Sequence, residues 1–465
     1  MSWLEIGLAL YLLITLVGYI VGANMIGKRR VLWHCAGLIL LGLHLVFEGY
    51  RMPMLLLYFM LIISTFGTIL TAYRRKKLHQ TTKASIQKRL VIGTIWGLLL
   101  LIALAVPAYV LPKVVLPSPT GPYAIGTTMY HWVDETRMEP FTLETDDHRE
   151  VIVRVWYPGE LSSKMTPASY AYDAEHIHTL IKGQPLYIKA ILAAIKRVET
   201  HSYSLLPISQ AQDEYPVLVL SPGLGASNFM YTSFTEQLAS HGYVVAVIEH
   251  SYYTEIPTLF PDGRITEGKV EFHAEANDWE SMNEHTQLWK DDVRFVLDRL
   301  EHINQDDPHH ILTGKLDTNQ IGMLGHSFGG ATAAQVMHYD PRVLAGINMD
   351  GFPYGEKLDQ GLINPFLFIL SPDTDKFARS ELEEKEWREY DLDSREAYEQ
   401  LAGEFMLRKH GMLRNGGSEW VVQGTDHMSF SDVGMYSPLL GSFDVKLHRE
   451  ITEKLLTFFN EHVRK

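Results

Sequence analysis

Four apolar runs occupy the first 111 residues of this 465-residue chain and restrict that part to one kind of backbone. Hydrocarbon offers no partner to a free N–H or C=O. A crossing segment must therefore close its own hydrogen bonds, which a helix does over about 20 residues. The runs are 6–26, 31–47, 54–73 and 90–111, and region 1–111 reads as about four transmembrane helices. A cleaved leader is the alternative for the first run. It lacks a basic start, and three further runs follow.

The basic residues orient these spans. Lys28-Arg29-Arg30 lies between the first and second. Arg74-Arg75-Lys76-Lys77, Lys83, Lys88 and Arg89 lie between the third and fourth. The loop between the second and third holds only Glu48 and Arg51. Basic loops face the cytoplasm. The chain is thus expected to be a multi-pass integral membrane protein of the plasma or inner membrane. Everything after residue 111 is expected on the extracytoplasmic side. His34, His44, Glu48 and Arg51 are the polar candidates for a transport path, and an anchor is the plainer reading.

Charge divides the chain in two. Region 1–111 carries 11 of the 41 basic and 2 of the 55 acidic residues, which leaves 30 and 53 for the remainder. A body that acidic argues against a nucleic-acid partner, whose phosphates need a basic surface. The bilayer is the partner expected of the basic, apolar part. One cysteine, Cys35, excludes an intrachain disulfide and argues against a thiolate metal site or nucleophile. In its apolar run it reads as a small hydrophobe.

Residues 112–120 form a Pro-rich linker, after which the globular part, 121–465, begins. Strand and helix signals alternate there, the pattern of a mostly parallel sheet covered by helices on both faces. Strands are expected near 150–157, 215–220, 243–248, 320–324, 343–349, 365–370 and 419–423. Helices are expected near 227–241, 289–302, 329–338 and 445–463. Two stretches interrupt the alternation, near 167–204 and 376–414. Both read as helical insertions, the second a solvated charged face or a lid.

Gly325-His326-Ser327-Phe328-Gly329 follows a strand and opens a helix, the pattern of a nucleophile elbow in an α/β-hydrolase fold. The serine must sit on a tight turn so that its hydroxyl projects from the sheet. Gly325 and Gly329 leave room for the neighbouring strand and helix. A serine needs a base, and in this fold the order is Ser, acid, His. His427 follows the last strand on a turn-rich loop and is the expected base. For the acid, Asp350 ends one strand while Asp373 and Asp375 follow the next, and pattern alone leaves these open. Asp426, beside His427, reads as a loop-shaping residue. Two backbone N–H groups should hold an oxyanion. Phe328 supplies one, and Leu224, in Ser221-Pro222-Gly223-Leu224-Gly225-Ala226-Ser227, the other.

With these residues the globular part resembles the platelet-activating factor acetylhydrolase family, the plasma and type II enzymes. The resemblance rests on Gly121-Pro122-Tyr123-Ala124-Ile125-Gly126, Val155-Trp156-Tyr157-Pro158, Gly223-Leu224-Gly225-Ala226 and Glu249-His250. Gly325 to Thr332 and Met349-Asp350 complete it. It implies that Asp350 is the acid and that no cofactor or metal is used. It also implies a lipid ester substrate, with short or oxidised sn-2 acyl groups of phospholipids removed through an acyl-enzyme. The chain departs from the family in its four apolar runs, in Ser251-Tyr252-Tyr253 where a basic residue is usual, and in the stretch 376–414. A general carboxylesterase, lipase or polyesterase shares much of the pattern. A lipid sensor or scaffold without catalysis is the reading from another class.

Overall fold

A computed structural model of the chain describes residues 2–22, 28–78, 85–110, 112–161, 165–171, 198–269 and 278–464, with residues 189, 192, 195 and 196. It divides into two units. One comprises residues 1–114, 184–197 and 436–439, and the other holds the rest.

The first unit contains α1 (Trp3–Val21), α2 (Lys28–Phe47), α3 (Leu55–Leu78) and α4 (Ile86–Ala105). Among the described residues, three helices are long and apolar enough to cross a membrane: Trp3–Val21, Arg29–Phe47 and Ile86–Tyr109. The run expected at 54–73 is helical, but its apolar part, Leu55–Thr71, is shorter. Four expected spans thus reduce to three full-length helices and one short one. Both histidines of α2 join neighbouring helices. His34 hydrogen-bonds with Tyr11 at 2.8 Å and Thr68 at 2.9 Å, and His44 with Tyr58 at 2.6 Å. Glu5 of α1 is buried against Arg51. Outward, Leu10, Ile14, Ile39, Phe66 and Leu101 are exposed.

The second unit is built on one ten-stranded sheet. Its strands are β1 (Ala124–Met138), β2 (His148–Gly159), β3 (Thr166–Ser169), β4 (Glu199–Ser204), β5 (Tyr215–Ser221), β6 (Val244–His250), β7 (Leu316–His326), β8 (Val343–Met349), β9 (Phe366–Leu370) and β10 (Ser418–Val421). Their spatial order is β10-β9-β8-β7-β5-β6-β2-β1-β4-β3. From β10 to β6 every neighbouring pair is parallel, whereas β2 is antiparallel to both β6 and β1. All seven residues of β5 and of β6 are buried. That is why both read as continuous apolar runs rather than alternating ones: a parallel strand between two helical layers has no wet face.

Helices α5 (Thr232–Ser240), α6 (Trp279–Gln305), α7 (Phe328–Tyr339), α8 (Pro372–Ala378), α9 (Arg395–Leu413) and α10 (Val445–His462) connect and cover the strands. Asp278 caps α6 through its side chain, and Val293, Val296, Leu297 and Leu300 line its buried stripe. The charged stretch 376–414 folds onto the core. Phe377, Trp387, Tyr398 and Phe405 are buried, while Arg388–Glu384 and Arg395–Glu399 pair on the exposed side at 2.7 and 2.8 Å. Most of 167–204 lies outside the described residues, and its described ends belong to β3 and β4. β1 has no counterpart among the expected strands, although it pairs with β2 from Ala124↔Gly159 to Asp134↔Arg149.

Candidate active site

The switch point of the sheet lies between β5 and its neighbours, because β6 continues on one side and β7 on the other. A crevice opens at the carboxyl ends of strands at such a point. Five adjacent strands each deliver one part of the site there. β5 leads into the loop beginning at Ser221, β7 into Ser327, β8 into Asp350, β9 into Ser371 and β10 toward His427. The ladder extends past the strand ends. Ser327 N–H donates to Met349 C=O at 2.9 Å, and Asp350 N–H to Ile369 C=O at 2.8 Å.

Ser327 has φ 54° and ψ −122°, a conformation costly for a side-chain-bearing residue and diagnostic of a sharp turn. The elbow glycines follow from the same turn. A Cβ on Gly325 would lie 1.9 Å from Gly329 O, and one on Gly329 2.0 Å from Ser221 O. Both neighbours are backbone and cannot move aside.

Ser327 Oγ lies 2.9 Å from His427 Nε2, and His427 Nδ1 lies 2.9 Å from Asp350 Oδ2. Asp350 is fully buried, with φ 58°. Burial alone would favour its neutral form. Hydrogen bonds from His427 and Ser371 outweigh that and hold the carboxyl below its usual range. Ser371 donates its N–H to Oδ1 at 2.6 Å and its O–H to Oδ2 at 2.9 Å. Buried Asn348 exchanges hydrogen bonds with Gly351 and fixes the turn on the far side of Asp350. Asp373 pairs with Lys376 at 3.9 Å and Asp375 with Arg379 at 3.0 Å. Asp350 is thus the one of the three carboxylates that meets His427. Asp426 caps the turn holding His427 by accepting from Ser429 N–H at 3.0 Å, and its other oxygen accepts from Ser442 N–H at 2.6 Å.

In the loop after β5, Gly223 N–H donates to Tyr231 Oη, Gly225 N–H to Tyr253 C=O and Ala226 N–H to Gly223 C=O. Leu224 N–H has no acceptor among the described residues, and the same holds for Phe328 N–H. These are the two groups the sequence pattern nominates to meet a developing negative charge. Ser371, Asn348, Tyr231 and His326 escaped the sequence reading as parts of the site. Only His326 carried a local signal, its place inside the elbow motif. No group of His, Cys, Asp and Glu around Ser327 has metal-ligand geometry among the described residues.

Three comparisons bear on this geometry. The family model for platelet-activating factor acetylhydrolase, isoform II, matches residues 108–455. The chain is 26% identical over 276 residues to a platelet-activating factor acetylhydrolase from Cavia porcellus, covering 55% of this chain and 60% of that protein. It is 28% identical over 285 residues to a probable 1-alkyl-2-acetylglycerophosphocholine esterase from Arthroderma benhamiae, covering 59% and 67%. Among solved structures, a ferulic acid esterase from Streptomyces cinnamoneus superposes with a TM-score of 0.55 at 27% identity, over 76% of this chain and 94% of that one. The match to the family model takes in every residue brought together around Ser327, and the chain belongs to the platelet-activating factor acetylhydrolase family.

Proposed function

We propose that the chain is a membrane-anchored serine esterase that hydrolyses carboxylic esters of lipids, with short or oxidised sn-2 acyl groups of phospholipids as preferred substrates. The observation that carries this reading is the pair of 2.9 Å contacts joining Ser327, His427 and Asp350. The acetylhydrolase relatives support the choice of a lipid ester.

His427 Nε2 takes the proton from Ser327 Oγ as the oxygen attacks the ester carbonyl. Asp350 accepts from Nδ1–H, which fixes the tautomer and stabilises the imidazolium. Leu224 and Phe328 N–H groups meet the oxyanion. His427 then passes its proton to the leaving alcohol. Water, activated by the same nitrogen, hydrolyses the acyl-enzyme and restores Ser327. The three long apolar helices and their exposed apolar side chains support anchoring in a bilayer. The basic residues at 28–30 and 74–89 favour four spans, the short helix among them, with the catalytic unit on the extracytoplasmic side.

Ser327→Ala should abolish turnover of a short-chain p-nitrophenyl ester and labelling by a fluorophosphonate probe. Wild-type turnover in that variant refutes the reading. Absence of labelling in the unaltered chain favours a lipid sensor instead. Similarity to the ferulic acid esterase supports a second reading, an esterase without phospholipid preference. Turnover of sn-2 acetyl phospholipid against short-chain triglyceride separates the two. Protease protection of the catalytic unit in sealed membranes tests the orientation.

A further inference from the structure

His326, the second residue of the elbow, is 3% exposed. Its ring lies between a main-chain carbonyl and a tyrosine hydroxyl. Nε2 is 2.9 Å from the main-chain oxygen of His427, and Nδ1 is 2.9 Å from Tyr231 Oη. Tyr231 is fully buried, and its oxygen also receives Gly223 N–H at 2.8 Å. A carbonyl only accepts and an amide N–H only donates, so with the ring neutral the direction of every bond follows. Nε2 carries the hydrogen and gives it to His427 C=O. Nδ1 is bare and accepts the tyrosine O–H. The tyrosine oxygen accepts from Gly223. Burial, the largest cause, and the nearby His427 push the His326 imidazole down to about 3. The ring therefore stays neutral, as the chain of bonds requires.

We propose that Tyr231 and His326 are positioning residues that lock the Leu224 oxyanion donor and the His427 base to one another through a single hydrogen-bonded strut across the elbow. Its ends are Gly223, immediately before Leu224, and His427 itself. Neither side chain contacts substrate. The strut makes the distance between base and oxyanion donor independent of the two loops that carry them. The proposal rests on Ser327 and His427 being nucleophile and base.

The test uses the full chain in detergent and a short-chain p-nitrophenyl ester, with Tyr231→Phe, His326→Gln and the double variant. Each single variant should lower kcat at least about tenfold while KM stays within about twofold, because the strut serves only the geometry of the transition state. The double variant should be no more than about threefold worse than the slower single, since both break one chain of bonds. If one single variant does not fold, the other decides alone by its kcat and KM. A smaller loss of kcat, a KM that rises as much as kcat falls, or effects that multiply in the double variant would overturn the proposal. Ser327→Ala in the same assay keeps the two questions apart. Turnover surviving there strikes the nucleophile itself, whereas turnover lost there but kept in Tyr231→Phe strikes only the strut.

Discussion

Ser371 gives both of its donors to Asp350, the N–H to one carboxylate oxygen at 2.6 Å and the O–H to the other at 2.9 Å. The carboxylate is thereby held ionised and aimed although it is fully buried. Asp350→Asn should lower kcat by roughly four orders of magnitude, as expected when the base loses its orienting charge. Asp375→Asn should change kcat less than about twofold, because its partner is Arg379 and breaking an exposed pair costs little. Ser371→Ala should fall between, about tenfold, the scale of one lost charge-assisted hydrogen bond. Steady-state kinetics on the three variants checks the ranking, and activity in Asp350→Asn with none in Asp375→Asn reverses the assignment.

The elbow should not tolerate a single added methyl group at Gly329. The new Cβ would lie 2.0 Å from Ser221 O and 2.3 Å from Pro222 O, both on the loop that carries Leu224. Overpacking of this kind costs about 1–3 kcal/mol or more, and here it also displaces an oxyanion donor. Gly329→Ala should lose at least about a hundredfold in kcat, beyond its drop in melting temperature. Retained activity at reduced stability would show that the loop can yield.

A second Ser-His-Asp alignment lies buried in the same unit, and it should prove structural. Ser221 Oγ is 3.0 Å from His250 Nε2, and His250 Nδ1 is 2.8 Å from Asp292. Asp292 also holds Arg149 through two hydrogen bonds, and Ser221, Asp292 and Arg149 are all inaccessible to solvent. Asp292→Ala leaves a buried guanidinium without its main partner and should destabilise the fold by about 3–5 kcal/mol, read by denaturant unfolding. Fluorophosphonate labelling at Ser221 would contradict a structural role.

Stability should fall between pH 5 and 8 because of Asp432. Burial pushes this carboxyl up to about 7, even though Ser233 and Tyr170 donate to it. The unfolded chain releases that proton near pH 4 and the folded one near 7, so folding favours the protonated form. Its stabilising contribution is complete below pH 4 and is lost as pH rises through 7, by up to about 4 kcal/mol. Asp432→Asn should flatten that difference. Melting curves of both proteins at pH 5 and pH 8 check the sign, and equal slopes would remove Asp432 as the cause.

The central strands were legible because burial on both faces writes an uninterrupted apolar run, as in β5 and β6. The elbow was legible because its glycines are required within a few residues of Ser327. Asp350 was legible only as one of three, since choosing among acids at two strand ends needs the distance to a histidine 77 residues further on. Ser371 and Tyr231 were not legible at all, because their partners come from other strands and no local pattern marks them. β1 was missed for a related reason. Its alternation is carried by Tyr130, Trp132 and buried Asp134, and a polar residue on the inner face breaks the sequence signature. The 54–73 run was legible as a helix, and α3 continues beyond it to Leu78.

The register of the parallel strands sets the spacing of the chemistry. Ser221 stands opposite Gly325 and His326 opposite Met349, so each functional turn begins within a residue or two of a fixed rung. One extra residue between rung and turn would rotate the departing chain and turn its side chain to the other face. The segments beyond the turns carry no such constraint, and the stretch from α8 to α9 can lengthen without moving a rung. Reaction and substrate preference can therefore change independently over evolutionary time, the first fixed by where strands stop and the second open to whatever is hung from their ends.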